Sequence, residues 1–380
     1  MVLNGVDSFS KFRHLFAGKR VGLITAPTGL TKQLRSTIDV VQEHCQLVAM
    51  FSPEHGVRGD LDAGDLVDTY IDPYTNVPVY SLYRKDSKRL TEEMLRKVDI
   101  VIYDIQDVGV RYYTFIYTML YALEDCAKAG VEFVVLDRVN PLDGITVQGN
   151  ILQASYRSFV GNYELAVRYG LTAGEVAMMA NDQMNWQAKL HIVPITGWQR
   201  AMAFPETGLT WVHPSLGIPR YETALLYVGT CLFEGTNCSE GRGTTFPFEL
   251  IGAPYIQAEQ LAQQMNDKGL EGIFFRPVYF KPNMSKHAGE LCGGVQLYIT
   301  NHATIRPLDV AVTLLFMIRD LYEQFSFLPP IKAGSRPFID LLGGSDVYRQ
   351  PHQTATTLLE QFAEDSKQFA VMKKAYHLYR

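Results

Sequence analysis

Through the first half of the chain, short runs of consecutive apolar residues alternate with longer stretches of helical spacing. Residues 20–25 (RVGLIT), 47–51 (LVAMF), 99–104 (DIVIYD), 132–137 (EFVVLD) and 190–195 (LHIVPI) read as strands. Their near-continuous apolar character is that of strands covered on both faces. Between them, 31–45, 112–129 and 172–186 repeat apolar residues at helical spacing. Such alternation predicts βαβ units and a Rossmann-like α/β domain built on a mostly parallel sheet. From about residue 227 the texture changes. A Gly- and Thr-rich stretch, 229–245, precedes a helix at 256–268, strands at 272–275 and 293–300, and helices at 308–325 and 354–376. Strands grouped apart from helices predict a smaller α+β domain. The expected division is 1–226 and 227–380, with an active-site cleft between the two.

Composition narrows the function classes. The 380 residues carry 35 Lys plus Arg against 40 Asp plus Glu, a net charge of −5. Nucleic acid and anionic membranes attract a basic excess, so neither is expected as a bulk partner. A small anionic ligand held by a few arginines stays open. Five scattered cysteines (Cys45, Cys126, Cys231, Cys238, Cys292) include no C-x-x-C pair and read as free thiols in a reducing compartment. The longest apolar window, 310–318, suits a buried helix, so no membrane insertion is expected. Residues 1–12 hold no export signal, which fits a cytoplasmic protein or a mature form whose signal has been removed. The segment after the first strand is ITAPTGLT, without G-x-G-x-x-G, and no G-x-x-x-x-G-K-[ST], G-x-S-x-G or H-E-x-x-H occurs. No cofactor and no metal are therefore expected.

Ligands of open α/β sheets bind outside the carboxyl ends of the strands. Three polar clusters fall there. Ser52-Pro53-Glu54-His55-Gly56-Val57-Arg58-Gly59 sets a carboxylate and an imidazole in a rigid turn; its plain alternative is a helix-capping Glu54 beside a solvated His55. Asp104, Gln106, Asp107, Gly109, Arg111 and Tyr113 follow the third strand; Asp104 is a ligand-hydroxyl acceptor or simply the ion-pair partner of Arg111. Arg138 and Asn140 follow the fourth, as forked donors for a carboxylate or amide. A fourth cluster, 233–245 (FEGTNCSEGRGTT), opens the second half with Glu234, Thr236, Asn237, Glu240 and Arg242 among three glycines. Glycines let a backbone approach a ligand closely, and its position at the domain junction suits a cleft. His213, near Trp211, is a candidate at an aromatic wall; the other isolated histidines read as structural.

Taken in order, FSPEHGVRGD (51–60), VPVYSLY (77–83), DIQDVGVRYYTF (104–115), LDRVNPLDG (136–144), YGLTAGEVA (169–177) and CLFEGTNCSEGRGTTFPFELIGAP (231–254) resemble the NamZ family of exo-β-N-acetylmuramidases. The resemblance runs from about residue 3 to the C-terminus. It implies a Rossmann-like domain, a smaller C-terminal domain and a cleft between them. It also implies release of N-acetylmuramic acid from the non-reducing ends of peptidoglycan fragments, with muramyl saccharides as the partners. Glu54 is the catalytic acid/base that it implies. The chain departs from the family at Val139 and Asp143 (DRVNPLDG for D-R-P-N-P-L-G-G), at Gly217 (an amide in the family) and at Tyr169 (a histidine in R-H-G-L-T).

The chemistry itself asks for a proton donor and stabilisation of an oxocarbenium-like centre. His55 or Arg58 would tune Glu54. Glu234, Glu240 and Asp107 are the choices for a second carboxylate, and the substrate's acetamido group is a third route. The lactyl carboxylate calls for a bidentate donor, with Arg138 and Arg242 first and Arg111 next. Two other readings stand beside the hydrolase: a non-catalytic muramyl-saccharide-binding protein of the same fold, and a Rossmann-type cofactor enzyme.

Overall fold

The fold comes from a computed structural model that describes residues 1–54, 56–59, 69–85 and 87–380. In chain order the first half contains β1 (Arg20–Thr25), α1 (Thr37–His44), β2 (Gln46–Ser52), β3 (Tyr70–Ile71), β4 (Pro78–Ser81), α2 (Glu92–Leu95), β5 (Ile100–Asp104), α3 (Phe115–Ala129) and β6 (Glu132–Leu136). It continues with β7 (Gln148–Ile151), β8 (Ala166–Arg168), α4 (Ala173–Gln183), β9 (Leu190–Val193), α5 (Phe204–Thr207) and α6 (Tyr221–Thr230). The second half adds β10 (Leu250–Ala253), α7 (Ala258–Asn266), β11 (Ile273–Phe280), β12 (Cys292–Ile299), α8 (Pro307–Leu321), α9 (Phe338–Gly343) and α10 (Ala355–Met372).

The main sheet has the order β3-β4-β2-β1-β5-β6-β9, parallel except for the edge pair β3–β4. Period-2 alternation sorts its side chains into two cores. Val21 and Leu23 of β1, Ile100 and Ile102 of β5, and Val134 and Leu136 of β6 pack with Phe9, Phe16, Ile38 and Val41 from the 3-10 segment Gly5–Leu15 and α1. Ile24, Val101, Tyr103, Phe133 and Val135 face the other way, into a core shared with α3 and α4. The sheet is thus covered on both faces, as the unbroken apolar runs predict.

Element ends shift where local chemistry intervenes. Residues 31–36, expected as helix, form a turn, with Leu34 at φ 63° and a bridge between Leu30 and Ser36. The helix begins once the Ser36 hydroxyl accepts the Ile38 N–H at 3.1 Å. The helix expected from 112 starts at Phe115 and ends at Gly130, φ 70°. Strands β4, β10 and the β7–β8 ribbon were not expected, and β11 runs through Pro277 because it is an edge strand of the β10-β12-β11 sheet.

The last helix returns to the first half. Lys373 Nζ donates to the carbonyls of Gly144 (2.6 Å) and Gly170 (2.7 Å), and the Tyr379 hydroxyl donates to Asp137 (2.6 Å). All five cysteines are free thiols, four of them buried. Among the described residues, no helix is long and apolar enough to cross a membrane.

Candidate functional site

Parallel pairing sets the carboxyl ends of β4, β2, β1, β5 and β6 along one rim. At the end of β2, Pro53 turns the chain and Glu54 follows, partly buried. The Leu82 N–H donates to Ser52 O at 2.8 Å, which extends the β2–β4 ladder and leads into Tyr83. Burial and the Glu54 charge together push the Tyr83 phenol up to about 12, so it stays a neutral donor facing that carboxylate. Lys88 Nζ sits 2.9 Å from the Tyr83 ring centroid and also feels Glu54. From β5, the loop 105–114 brings in Thr114, whose hydroxyl donates to Glu54 Oε2 at 3.1 Å. Thr114 flanks the start of α3 without capping it through its side chain, which frees the hydroxyl for that bond.

Tyr113 joins this rim to the second half. Its ring meets Tyr227 edge-on at 6.0 Å, Tyr227 meets Phe248 at 4.8 Å, and the Arg242 guanidinium lies 4.9 Å from the Phe248 centroid. Burial raises the pKa of the Tyr113 hydroxyl; Asp107 and Glu54 push the same way, while Ser215 and Arg242 oppose them. One phenol therefore senses two carboxylates of the first half and an arginine of the second. Arg242, with 37% of its side chain exposed, is held by Glu234 Oε1 at 2.8 and 2.9 Å and approaches Glu240 at 3.6 Å. Lys286 Nζ closes the chain on Glu240 at 2.7 Å. Gly217 abuts this guanidinium: a Cβ there would lie 3.3 Å from Arg242 Nη1. The family's usual amide is thus missing beside the one arginine in the cluster that solvent reaches.

Several expected site residues are occupied elsewhere. Arg58 is exposed and grips Asp72 at 2.7 and 2.9 Å rather than Glu54. Asp104 is fully buried and its ion-pair partner is Arg138 (2.5 and 2.9 Å), not Arg111; Thr37 completes the shell. This pair plugs the switch point between β1 and β5, where the remaining cavity is about 30 Å³, roughly room for a water. Arg111 is also fully buried, spending its Nη1 and Nη2 donors on Asn150 and the carbonyls of Leu165, Leu342 and Gly343. It clamps α9 to the β7–β8 ribbon and does not reach a ligand. Gln106 donates to the carbonyls of Asp107 and Val139. Asn140 bridges Leu171 O and Leu142 N, and a Cβ on Gly109 (φ 77°) would strike its side chain at 2.4 Å. Thr236 caps Phe233 O, and Asn237 ties the loop to Gln324 and Ser326. Glu240 is 2% exposed and paired with cations. His55 lies outside the described residues, and His213 is exposed.

Asp107 is different. It is buried, accepts bonds from Tyr169 and from Gly109 N (2.8 Å), and keeps Oδ1 without a partner. Burial raises its pKa to about 6 against those hydrogen bonds. Tyr169, where the family has histidine, thus supplies the donor by a phenol. Asp143 is explained as well. Its φ is 86°, a conformation glycine adopts freely, and here the carboxylate accepts from Ile145 N, Thr146 N and Arg168. Because folding raises the Asp107 pKa, the folded state holds that proton more tightly than the unfolded chain. Its contribution to stability is therefore full below about pH 4, the unfolded value, and is lost as pH rises towards about 6. Denaturant titrations from pH 4 to 7 should show the fall, to which buried Asp137, its pKa also raised to about 6, adds in the same direction; Asp107→Asn should remove the Asp107 share, up to roughly 3 kcal/mol. An unaltered slope in that variant would place the proton elsewhere.

Tyr83, Lys88, Thr114, Ser215 and Lys286 complete the cluster without having been named as site candidates, and Tyr169 was noted only as a departure from the family. Tyr83 stood in the VPVYSLY motif and Thr114 in DIQDVGVRYYTF; Lys88 and Lys286 carried no sequence signal, because only folding sets them beside a carboxylate. Among the described residues, no group of three or more His, Cys, Asp or Glu side chains is placed to hold a metal ion.

The family described as exo-beta-N-acetylmuramidase NamZ, N-terminal, matches residues 21–222, and its C-terminal counterpart matches 225–379. The peptidoglycan beta-N-acetylmuramidase NamZ of Bacillus subtilis (strain 168) is 44% identical over 385 residues, covering 100% of this chain and 91% of the relative. Two crystal structures of DUF1343 family proteins from Bacteroides fragilis NCTC 9343 share the fold. One has a TM-score of 0.90 at 34% identity and the other 0.79 at 28%, each covering 100% of this chain and 99% of its own.

Proposed function

Since the chain belongs to the NamZ family of exo-β-N-acetylmuramidases, we propose that it is a glycoside hydrolase that removes N-acetylmuramic acid from the non-reducing ends of peptidoglycan fragments. The observation that carries this reading is a run of contacts from Glu54 to Thr114, and from its neighbour Tyr113 through Tyr227 and Phe248 to Arg242, which links a carboxyl acid to an accessible guanidinium. Glu54 protonates the leaving oxygen as the C1–O bond breaks. A water then adds its oxygen to C1 and gives its proton to a carboxylate. Arg242, steadied by Glu234, receives the lactyl carboxylate as a bidentate donor. Glu234 and Glu240 are engaged in holding Arg242 and Lys286, which leaves Asp107 with its free Oδ1 as the second carboxylate. The proposed division, 1–226 and 227–380, puts Glu54 and Asp107 in one part and Arg242 in the other. The reading as a binding protein without activity is not favoured, because the matching relative is a hydrolase over the whole length of the chain. A role on internalised fragments in the cytoplasm and a role on wall fragments outside it both suit this substrate.

A chromogenic β-linked N-acetylmuramide should be cleaved, and the N-acetylglucosaminide lacking the lactyl group should have a kcat/KM lower by roughly 10–100-fold, the worth of a charged hydrogen bond. Equal turnover of the two would remove Arg242 from its role, and no turnover of either would remove the activity. Proton NMR of the first-formed anomer then reports whether the second group attacks C1 or activates water.

A further inference from the structure

A cavity of about 810 Å³ opens on the far side of β8 from Asp107, within the size range of small-molecule sites. Consecutive residues of an extended chain point to opposite faces. Tyr169 turns to Asp107, and Arg168 turns away to line this cavity with Gln148, its partner on β7. Glu54, Thr114 and Arg242 take no part in it.

Two features of its wall lack an explanation within the fold. Gln148 is 1% exposed, yet neither atom of its side-chain amide has a hydrogen-bond partner. Arg168 is 5% exposed, and its Nε is also without a partner. Buried polar groups are nearly always satisfied, so a donor–acceptor pair left open in the wall of a cavity calls for a partner that the fold does not supply. Several charged groups around it are, in contrast, already engaged. Arg168 Nη2 pairs with Asp143 at 2.8 Å, Arg306 with Asp309 at 2.5 Å, and Glu206 accepts the Ala203 N–H at 2.8 Å. Glu222 and His302, 3.9 Å apart, are half exposed; the buried part of the wall offers neutral groups: one amide, one N–H, and the Tyr221 hydroxyl, whose surroundings are Arg168, Asp143 and Glu222. Tyr221 stacks with His302 at 6.0 Å and 20°, which adds an aromatic surface to the wall.

We propose that this cavity is a second saccharide site, taking a neutral acetamido sugar whose adjacent hydroxyl and acetamide groups pair with the Gln148 amide and Arg168 Nε while its ring rests against Tyr221 and His302. It would hold a sugar residue of a fragment outside the catalytic cleft, and it depends on the hydrolase reading only for the source of that sugar. An extended peptide residue offers a similar donor–acceptor edge, so the two sources are separated by experiment.

Crystals of the full chain soaked with N-acetylglucosamine should show the sugar in this cavity, and calorimetric or NMR titration should show saturable binding. The Gln148→Leu variant should bind at least tenfold more weakly. It should also melt at or above the wild-type temperature, because it removes an amide that no protein group satisfies. Tyr221→Phe, which removes one hydroxyl only, supplies the same comparison if Gln148→Leu does not fold, with binding weakened several-fold. Binding of N-acetylalanine methylamide without binding of the sugar, undiminished binding in the variants, or an empty cavity would each overturn the assignment. Glu54→Gln should leave this binding intact, so failure of the catalytic reading and failure of this one are told apart.

Discussion

Glu54→Gln should lower kcat on a β-linked N-acetylmuramide by about 10²–10⁴-fold, the usual worth of a general acid–base group, with the melting temperature unchanged. Glutamine is nearly isosteric and keeps an oxygen to accept the Thr114 hydroxyl, so that bond survives. What it loses is the proton that the leaving oxygen needs. Because Glu54 is partly exposed at a strand end and makes no ion pair within hydrogen-bonding reach among the described residues, its removal leaves no buried charge behind. Turnover equal to wild type would place the acid elsewhere, and a large fall in melting temperature would make Glu54 a structural group.

The opposite profile is expected for Arg138→Met. Arg138 sits against Asp104 at 2.5 and 2.9 Å, with 5% of the arginine side chain and none of the aspartate exposed. Removing one partner strands the other as a buried charge, which typically costs about 3–5 kcal/mol. Urea denaturation should show a loss of that size, and adding Asp104→Asn should recover part of it, because the neutral amide needs no counter-ion. A loss below about 1 kcal/mol would mean that the pair is dispensable to the fold and that Arg138 is available to a ligand, as its sequence position suggests.

These two residues show where sequence reasoning reaches and where it stops. Glu54 and Arg138 both follow a buried parallel strand, and both are charged residues in Pro- or Asn-rich turns. Nothing in spacing separates them. The fold does, because Glu54 stays partly exposed with the Thr114 hydroxyl as a partner, whereas Arg138 is buried against Asp104 beneath Asn4 and the 204–212 stretch. Arg111 is the sharper example. It stands four residues from Asp107 in one motif, yet its partners Leu342 and Gly343 lie some 230 positions away. Strands β7 and β8 escaped notice for a related reason: Gln148, Asn150 and Arg168 are polar, and they are buried only because α10 comes back to cover them.

The sequence by itself therefore determined the strand–helix alternation, the parallel sheet and the strand-end loops that carry polar residues, because these follow from local periodicity and from burial on both faces. It also carried the family resemblance and, with it, the proposal that Glu54 is the acid/base. Only the tertiary structure decided which charges are spent on one another and which stay open. Asp104 with Arg138 and Glu240 with Lys286 are matched internally, while Glu54 makes no ion pair among the described residues, Arg242 stays partly exposed and one oxygen of Asp107 has no partner. The physical reason is that hydrogen bonds and ion pairs form between whatever groups the packing brings within about 3 Å, and separation along the chain says little about that distance.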